Sequence, residues 1–400
     1  MIPQLELRQQ IEKHLTNDIL PYWIDHTIDE EYGGFYGYIT NDQQVNKEAE
    51  KGCILNSRIL WSYSKAYQMF KDERYLKVAN HAYSFLIESF IDPEQGGVYW
   101  MVDYKGHPVE DRKHIYNQSF AIYGLSEYYM ATGNEESLEI AKELYELIEK
   151  HAYDQDNKGY LEAFTRTWGV DEDLRLSGKD LNSAKSMNTH LHILEAYTNL
   201  YRVWKDEGLK RQLTELIEVT LDHIVHPDTY QFILFFNEQW QPASNTISYG
   251  HDIEGSWLLY EAAEVLQNER LLERVENVSL KMAKKVLEDG IDSDGSVMNE
   301  LEGNGHLDKD RVWWVQAESM VGFYNAFHLT KDSAYYNAVE RLWQYTTKYV
   351  IDHKSGEWYW KLDENNHVYH DFPKVEPWKC PYHNSRFCFE MIERINKEQG

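Results

Sequence analysis

A short aromatic segment marked by glycine returns along this chain, and that recurrence limits the possible folds more than any other feature. It reads Tyr32-Gly33-Gly34-Phe35-Tyr36, then Gln95-Gly96-Gly97-Val98-Tyr99-Trp100, Lys158-Gly159-Tyr160-Leu161-Glu162, Asp294-Gly295-Ser296-Val297 and Ser355-Gly356-Glu357-Trp358-Tyr359-Trp360. A degenerate copy without glycine, Thr229-Tyr230-Gln231-Phe232-Ile233-Leu234-Phe235-Phe236, fills the gap between the third and fourth clear copies. Six copies about 60 to 70 residues apart indicate six examples of one supersecondary unit, with a period longer than those of the common solenoids. Between copies the chain reads as two helices, for instance residues 58–69 and 73–90, with apolar residues at helical spacing and few breakers. A helix pair that is apolar front and back cannot bury both faces alone, so neighbouring units must stack. The stack can stay open or close into a ring. Six units of this size favour closure, which removes the need for capping repeats. The expected fold is all-α, an (α/α)6 barrel of six helix-pair repeats with short β-hairpins or loops at one end. No linker or low-complexity stretch divides the 400 residues, so a single domain over 1–400 is expected. The polar stretch 165–186 reads as a long loop over one barrel mouth.

One helix start in each unit carries polar residues where a core helix should be apolar. These are Asn56-Ser57-Arg58, His114-Ile115-Tyr116-Asn117-Gln118, Asn188-Thr189-His190-Leu191-His192, His251-Asp252-Ile253-Glu254, Trp313-Trp314-Val315-Gln316-Ala317-Glu318 and Pro381-Tyr382-His383-Asn384. Equivalent positions of successive units ring one mouth of a barrel, so these residues should converge on one pocket. Asn188 and His192, His251 and Glu254, and Trp314 and Glu318 each share a helix face. A carboxylate beside a histidine fixes its tautomer and raises its basicity, which suits proton transfer near neutral pH. Three histidines, a carboxylate and an arginine around a small polar ligand can remove a proton next to a carbonyl and return it.

Other readings of these residues are blander. His81, His107, His151 and His353 stand alone and read as structural or exposed, and either His190 or His192 can be structural. Glu254 and Glu318 can merely cap or pair, and Trp61, Trp257 and Trp313 read as core. A metal site is disfavoured, because no His-Glu-x-x-His run occurs and the cysteines have no ligand spacing. A glycoside hydrolase needs an acid and a base or nucleophile flanking the bond, and here histidine dominates the ring over carboxylates.

Composition narrows the partner. A net charge of −27 repels nucleic-acid phosphates and anionic lipid heads, whereas 13 Trp and 30 Tyr supply flat faces with polar handles that suit sugars. The three cysteines, Cys53, Cys380 and Cys388, read as reduced thiols. There is no signal-type apolar stretch at the N-terminus and no window as apolar as a membrane span. The expectation is a cytoplasmic protein, a monomer or weak homo-oligomer, with a small-molecule oligosaccharide as partner and neither nucleic acid nor membrane.

At these same residues the sequence resembles the N-acylglucosamine 2-epimerase superfamily, and within it the cellobiose-acting branch. The resemblance rests on Ser248-Tyr249-Gly250-His251-Asp252-Ile253-Glu254, Lys185-Ser186-Met187-Asn188-Thr189-His190-Leu191-His192 and Trp378-Lys379-Cys380-Pro381-Tyr382-His383-Asn384. Gly33-Gly34-Phe35-Tyr36-Gly37 and Arg112-Lys113-His114-Ile115-Tyr116-Asn117-Gln118 extend it over nearly the whole chain. The aspartate after His251 is associated with the cellobiose-acting branch, where the N-acylglucosamine type carries a small residue.

The resemblance implies an (α/α)6 barrel that epimerises the reducing-end glucose of β-1,4-linked disaccharides such as cellobiose and lactose to mannose, with no metal or other cofactor. It implies that His251 and His383 are the two acid/base groups at C2, that His192 assists ring opening and closing, and that Arg58 polarises the carbonyl oxygen. Glu254 would hold His251. Tyr116, Asp180, Asn188 and Glu318 would meet sugar hydroxyls or support the residues that do, and Trp314 and Trp378 would stack on sugar rings. The alternatives are an aldose–ketose isomerase or a monosaccharide or N-acylglucosamine epimerase in the same barrel, and, from another class, a helical-repeat carbohydrate-binding protein.

Overall fold

The computed structural model describes residues 2–399, with nothing said of the side chain at 399. Among the described residues thirteen α-helices follow one another: α1 Gln4–His14, α2 Leu20–His26, α3 Cys53–Phe70, α4 Glu73–Phe85, α5 Ile115–Thr132, α6 Glu135–His151, α7 Met187–Val203, α8 Glu207–Val219, α9 Tyr249–Leu266, α10 Glu269–Asp289, α11 Trp313–Thr330, α12 Ser333–Tyr345 and α13 Tyr382–Gln399. Helices α3, α5, α7, α9, α11 and α13 form an inner ring in which each packs on the next and α13 closes on α3. The others lie outside it as their partners. The fold is an (α/α)6 barrel. The amphipathic outer helices bury one stripe, such as Leu209, Leu213, Leu216 and Ile217 of α8. The inner helices are buried on nearly every side, which is why α5 and α11 show no clear apolar face in sequence.

The recurring segments are tight hairpins that lead from each outer helix toward the next inner one. Their bridges pair Ile28 with Phe35, Ile91 with Val98, Tyr153 with Tyr160, Val225 with Phe232, Ile291 with Val297 and Ile351 with Trp358. The turns need left-handed backbone, which glycine supplies in five copies; in the degenerate fourth, Tyr230 adopts φ 60° itself. An acid opens five of the turns, with Asp29, Asp92, Asp154, Asp292 and Asp352 accepting backbone N–H groups of the turn. Each of these acids is paired with a buried cation: Lys51, Lys113, Lys185, Arg311 and Lys374 at 2.7–3.0 Å.

Each inner helix is tied to the hairpins at both sides of its start. The first residue donates its N–H to a strand of the following unit, as Cys53 does to Trp100 O, Ile115 to Glu162 O and Trp313 to Trp360 O. The sixth helix begins its hydrogen bonding at Pro381, whose carbonyl accepts from Ser385 N and which has no N–H to satisfy. Counted from these first residues, the sixth position of the six helices holds Arg58, Phe120, His192, Glu254, Glu318 and Arg386, all buried. These side chains meet near the barrel axis. The loop over residues 165–184 runs across the mouth above them.

Candidate active site

A cavity of about 480 Å³ opens at the hairpin end of the inner ring. Of the residues singled out from sequence, Arg58, Tyr116, Asp180, Asn188, His192, His251, Glu254, Trp314, Trp378 and His383 line it. Six helices and two loops deliver them, so only ring closure brings them together. Arg58 lies with its guanidinium 4.2 Å from the Phe120 ring centroid and donates to the Tyr116 hydroxyl at 2.7 Å. Trp314 sits between His251 (ring centroids 4.8 Å apart) and His383 (5.5 Å). Trp378 packs near Tyr116, 5.9 Å between centroids. Asp180 reaches the cavity from the mouth loop, where its carboxylate accepts from Ser177 N at 2.8 Å.

Two expected placements are corrected. Glu254 does not hold His251: the imidazole Nδ1 of His251 meets the Ser248 hydroxyl at 2.8 Å, while Glu254 accepts from Arg386 Nη2 at 2.6 Å and stands 3.9 Å from His383 Nδ1. The i, i+3 spacing puts Glu254 and His251 on one side of α9, but Glu254 lies a turn deeper and meets α13 instead. Glu318 does not line the cavity. It lies fully buried behind His383, accepting from His383 Nδ1 at 2.6 Å, Arg386 Nη2 at 2.6 Å and Trp257 Nε1 at 3.1 Å. With Trp257 and Arg386 donating to its two oxygens, an ionised Glu318 also accepts from His383, the arrangement in which His383 carries its hydrogen on Nδ1 and presents a free Nε2.

His192 is held the same way, with Nδ1 2.9 Å from Glu195 Oε2. Burial disfavours the Glu195 carboxylate, but the charge of Arg386 and the bond from His192 outweigh it and bring its pKa to about 2. His190 is structural: Nδ1 faces Ser186 O and Nε2 accepts from Tyr160 N at 2.9 Å. Burial holds all three cavity histidines neutral. The pKa of His251 falls to about 3 through burial and then the charge of His192, and that of His383 falls well below 6.5 through burial and then Arg58 and Arg386. His192 is lowered as well, again by burial first.

Arg386 was not visible as a site residue in the sequence. Its guanidinium bonds Glu195, Glu254, Glu318 and the Tyr382 hydroxyl. Glu254, Glu318 and His383 bring ligand atoms within 4.8 Å of one another, which is a metal-like spacing, but Arg386 Nη2 donates to both carboxylates and supplies the positive charge there. Three carboxylates around one guanidinium leave excess negative charge, and Glu254 is pushed well above 4.5 by burial and then by Glu318. Sequence reading does not single out Glu195, Trp360, Glu376 or the loop residues Leu176, Ser177, Gly178 and Lys179, whereas Trp313, expected in the core, is buried there and also borders the cavity. The sixth-position count would have flagged Arg386, and the His192-x-x-Glu195 spacing would have flagged Glu195.

A family model described as N-acylglucosamine 2-epimerase (GlcNAc 2-epimerase) matches residues 34–384. The chain is 47% identical to a cellobiose 2-epimerase of Bacteroides fragilis over 96% of this chain and 98% of that one. It is 44% identical to a cellobiose 2-epimerase of Dictyoglomus turgidum, with coverage of 97% and 99%. The solved structure of cellobiose 2-epimerase from Bacillus thermoamylovorans B4167 superposes with a TM-score of 0.93 at 45% identity, over 97% of this chain and 99% of that one.

Proposed function

Because the chain belongs to the N-acylglucosamine 2-epimerase family of carbohydrate epimerases, we propose that it inverts C2 of the reducing-end glucose of a β-1,4-linked disaccharide, cellobiose or lactose, to give mannose there. The observation that carries this reading is the pair of neutral imidazoles, His251 from α9 and His383 from α13, both packed on Trp314 in one cavity.

A C2 proton is acidic only beside a free aldehyde, so the pyranose ring opens first, with His192 moving the proton between the ring oxygen and the C1 hydroxyl. One of the two other histidines removes the C2 proton, giving a cis-enediolate whose oxygen charge is met by Arg58. The second, whose proton affinity rises beside the negative enediolate and which takes up a proton originating from solvent, returns it on the opposite face. The roles exchange with direction. Proton return to C1 would give a ketose, so the product is decided by where the acid stands relative to C2 and C1. Trp314 and Trp378 offer faces for the two sugar rings. In this scheme Arg58 provides the fixed positive charge at the enediolate, and no step calls on a metal or other cofactor. Among the described residues no helix is long and apolar enough to cross a membrane, and the three cysteines are free and buried, which fits a reducing, cytoplasmic setting.

Proton NMR of cellobiose incubated in D2O with chelator-treated protein tests the reading. A glucosyl-mannose carrying deuterium at C2 is expected, and His251→Ala and His383→Ala should each abolish its formation. Release of glucose would identify a hydrolase, a ketose product would identify an isomerase, and sugar binding without turnover would identify a binding protein; each of these overturns the proposal.

A further inference from the structure

The fourth unit locks its hairpin to its inner helix with a carboxyl, and that carboxyl belongs to the residue next to His251. At the fourth position of α5 and α11, a glutamine amide both accepts from and donates to one strand residue. Gln118 bonds Val98 N and O at 2.7 and 2.8 Å, and Gln316 bonds Val297 N and O at 3.0 and 2.8 Å. At the fourth position of α9 stands Asp252, whose Oδ1 accepts from Phe232 N at 2.7 Å, while its buried Oδ2 has no hydrogen-bond partner of good geometry and only the Gln231 amide nearby. The Phe232 ring lies so close over α9 that a Cβ on Gly255 would come within 2.1 Å of it, so hairpin and helix have no slack.

The charges around this position have changed together. In the second unit, Lys113 lies alongside Gln118, both reaching the same face of Gly97, and pairs with Asp92. In the fourth unit the turn acid is replaced by His226, whose Nδ1 accepts the turn N–H groups of Asp228 and Thr229, and the cation position two residues before the helix is Ile247. Asp252 is therefore wholly buried with no counter-ion. The groups that act on it are Phe232 N–H and the Gln231 amide from the hairpin, with Tyr249 and His251 its neighbours on α9 and Asp289 of α10 acting on Tyr249. Among the described residues no lysine, arginine or histidine of α7, α8, α10 or α11, the helices packed on α9, pairs with it. A buried carboxyl with no cation keeps its proton.

We propose that Asp252 is a neutral carboxylic acid, the fourth unit's counterpart of Gln118 and Gln316, and that it acts as a positioning residue which fixes the start of α9 and so seats His251. With the proton on Oδ2 it offers a donor and an acceptor, as the glutamine amides do. Burial pushes its pKa to about 8, outweighing the bond from Phe232 N and the nearby Gln231 amide, in agreement with this. The kinetic part of the proposal rests on the reading of His251 as an acid/base group, and the proton part does not.

The test compares wild type with Asp252→Asn by thermal unfolding from pH 5 to pH 9 and by turnover of cellobiose at pH 7. An acid whose pKa is raised on folding gives stability that is lost as pH rises from its unfolded value toward its folded one. The melting temperature of Asp252→Asn relative to wild type should therefore climb between pH 5 and pH 8 and level off above. A gap that stays constant from pH 5 to pH 8 overturns the proposal. Asp252→Asn should keep turnover within about threefold, whereas Asp252→Ala should lower kcat by about tenfold with little change in KM, the scale of one lost buried hydrogen bond. If Asp252→Ala keeps full kcat, the positioning role fails. Should Asp252→Asn not fold, Ile247→Lys in the wild-type background restores the cation of the other units. It should flatten the fall in stability between pH 5 and pH 8, and an unchanged fall would overturn the neutral acid. If His251→Ala retains turnover, the catalytic reading fails while the unfolding data still judge Asp252.

Discussion

The two imidazoles that share Trp314 stand in opposite electrostatic settings. His383 backs onto Glu318, which is bonded to Arg386, which in turn holds Glu254 and Glu195. His251 backs onto a single hydroxyl, that of Ser248, and its helix start is tied down by an uncharged hairpin contact. The contrast teaches that one flank of the cavity is organised by charge and the other by packing. Proton transfer in both directions across C2 needs two groups with different affinities for a proton. A carboxylate-backed imidazole and a hydroxyl-backed one supply that difference without differing in residue type.

The largest effect should come from removing the charge that the first flank is built on. Arg386→Met leaves three buried carboxyls without their cation and should cost about 3–5 kcal/mol of stability, read as a lowered denaturation midpoint. A drop below about 1 kcal/mol would mean that the carboxylates relax independently and that no charged flank exists. Glu318→Gln keeps the shape and an acceptor but removes the carboxylate behind His383. Turnover should fall by roughly 10²-fold or more while the fold survives, since acid/base groups contribute on that scale. A Glu318→Gln enzyme with wild-type kcat would erase the distinction between the flanks.

The pH profile sharpens the same comparison. His251, His192 and His383 are all held neutral by burial, His251 down to about 3. For the free enzyme, kcat/KM should therefore show no histidine-type loss as pH falls from 7 to about 5.5, where an ordinary imidazole would have taken up its proton. A half-loss near pH 6.5 would show that one flank is open to water. The sign for stability follows: each of these histidines stabilises the fold above pH 6.5, and that contribution is lost progressively as pH drops toward its folded value.

The barrel was legible in sequence because the hairpin recurs, and a recurring unit with two apolar faces has few ways to close. Even the copy without glycine is found at its place, with Tyr230 bearing the left-handed backbone. Arg58, Tyr116, Asn188, His192, His251, Glu254 and His383 stand out in sequence as polar residues at helix starts, and they line one cavity, which Trp314 and the loop residues Asp180 and Trp378, pointed to by the resemblance, also reach. Glu318 and the true partner of His251 were not, because helical spacing tells which residues share a face but not which neighbouring helix that face meets. Glu254 points to α13, and only the ring geometry reveals it. Arg386 was hidden between Tyr382 and Phe387, Cys388 and Phe389 in a run that looks like core. Its role follows from long-range contacts with three other helices, and only its register, sixth from the helix start like Glu254 and Glu318, marks it in sequence.

The smallest effect should fall on the uncharged flank. Ser248→Ala removes the one side-chain partner of His251 Nδ1 but leaves Trp314 against the ring and the α9 start in place. A neutral hydrogen bond of this kind contributes about 1 kcal/mol, so kcat should fall about fivefold with KM nearly unchanged, far less than for Glu318→Gln. The comparison between the two variants is the decisive quantity. If Ser248→Ala costs as much as Glu318→Gln, then His251 depends on its tautomer as strictly as His383 does, and packing against Trp314 is not what orients it. If the cost is small, the second histidine is held by shape, and its proton affinity is set first by burial and then by His192.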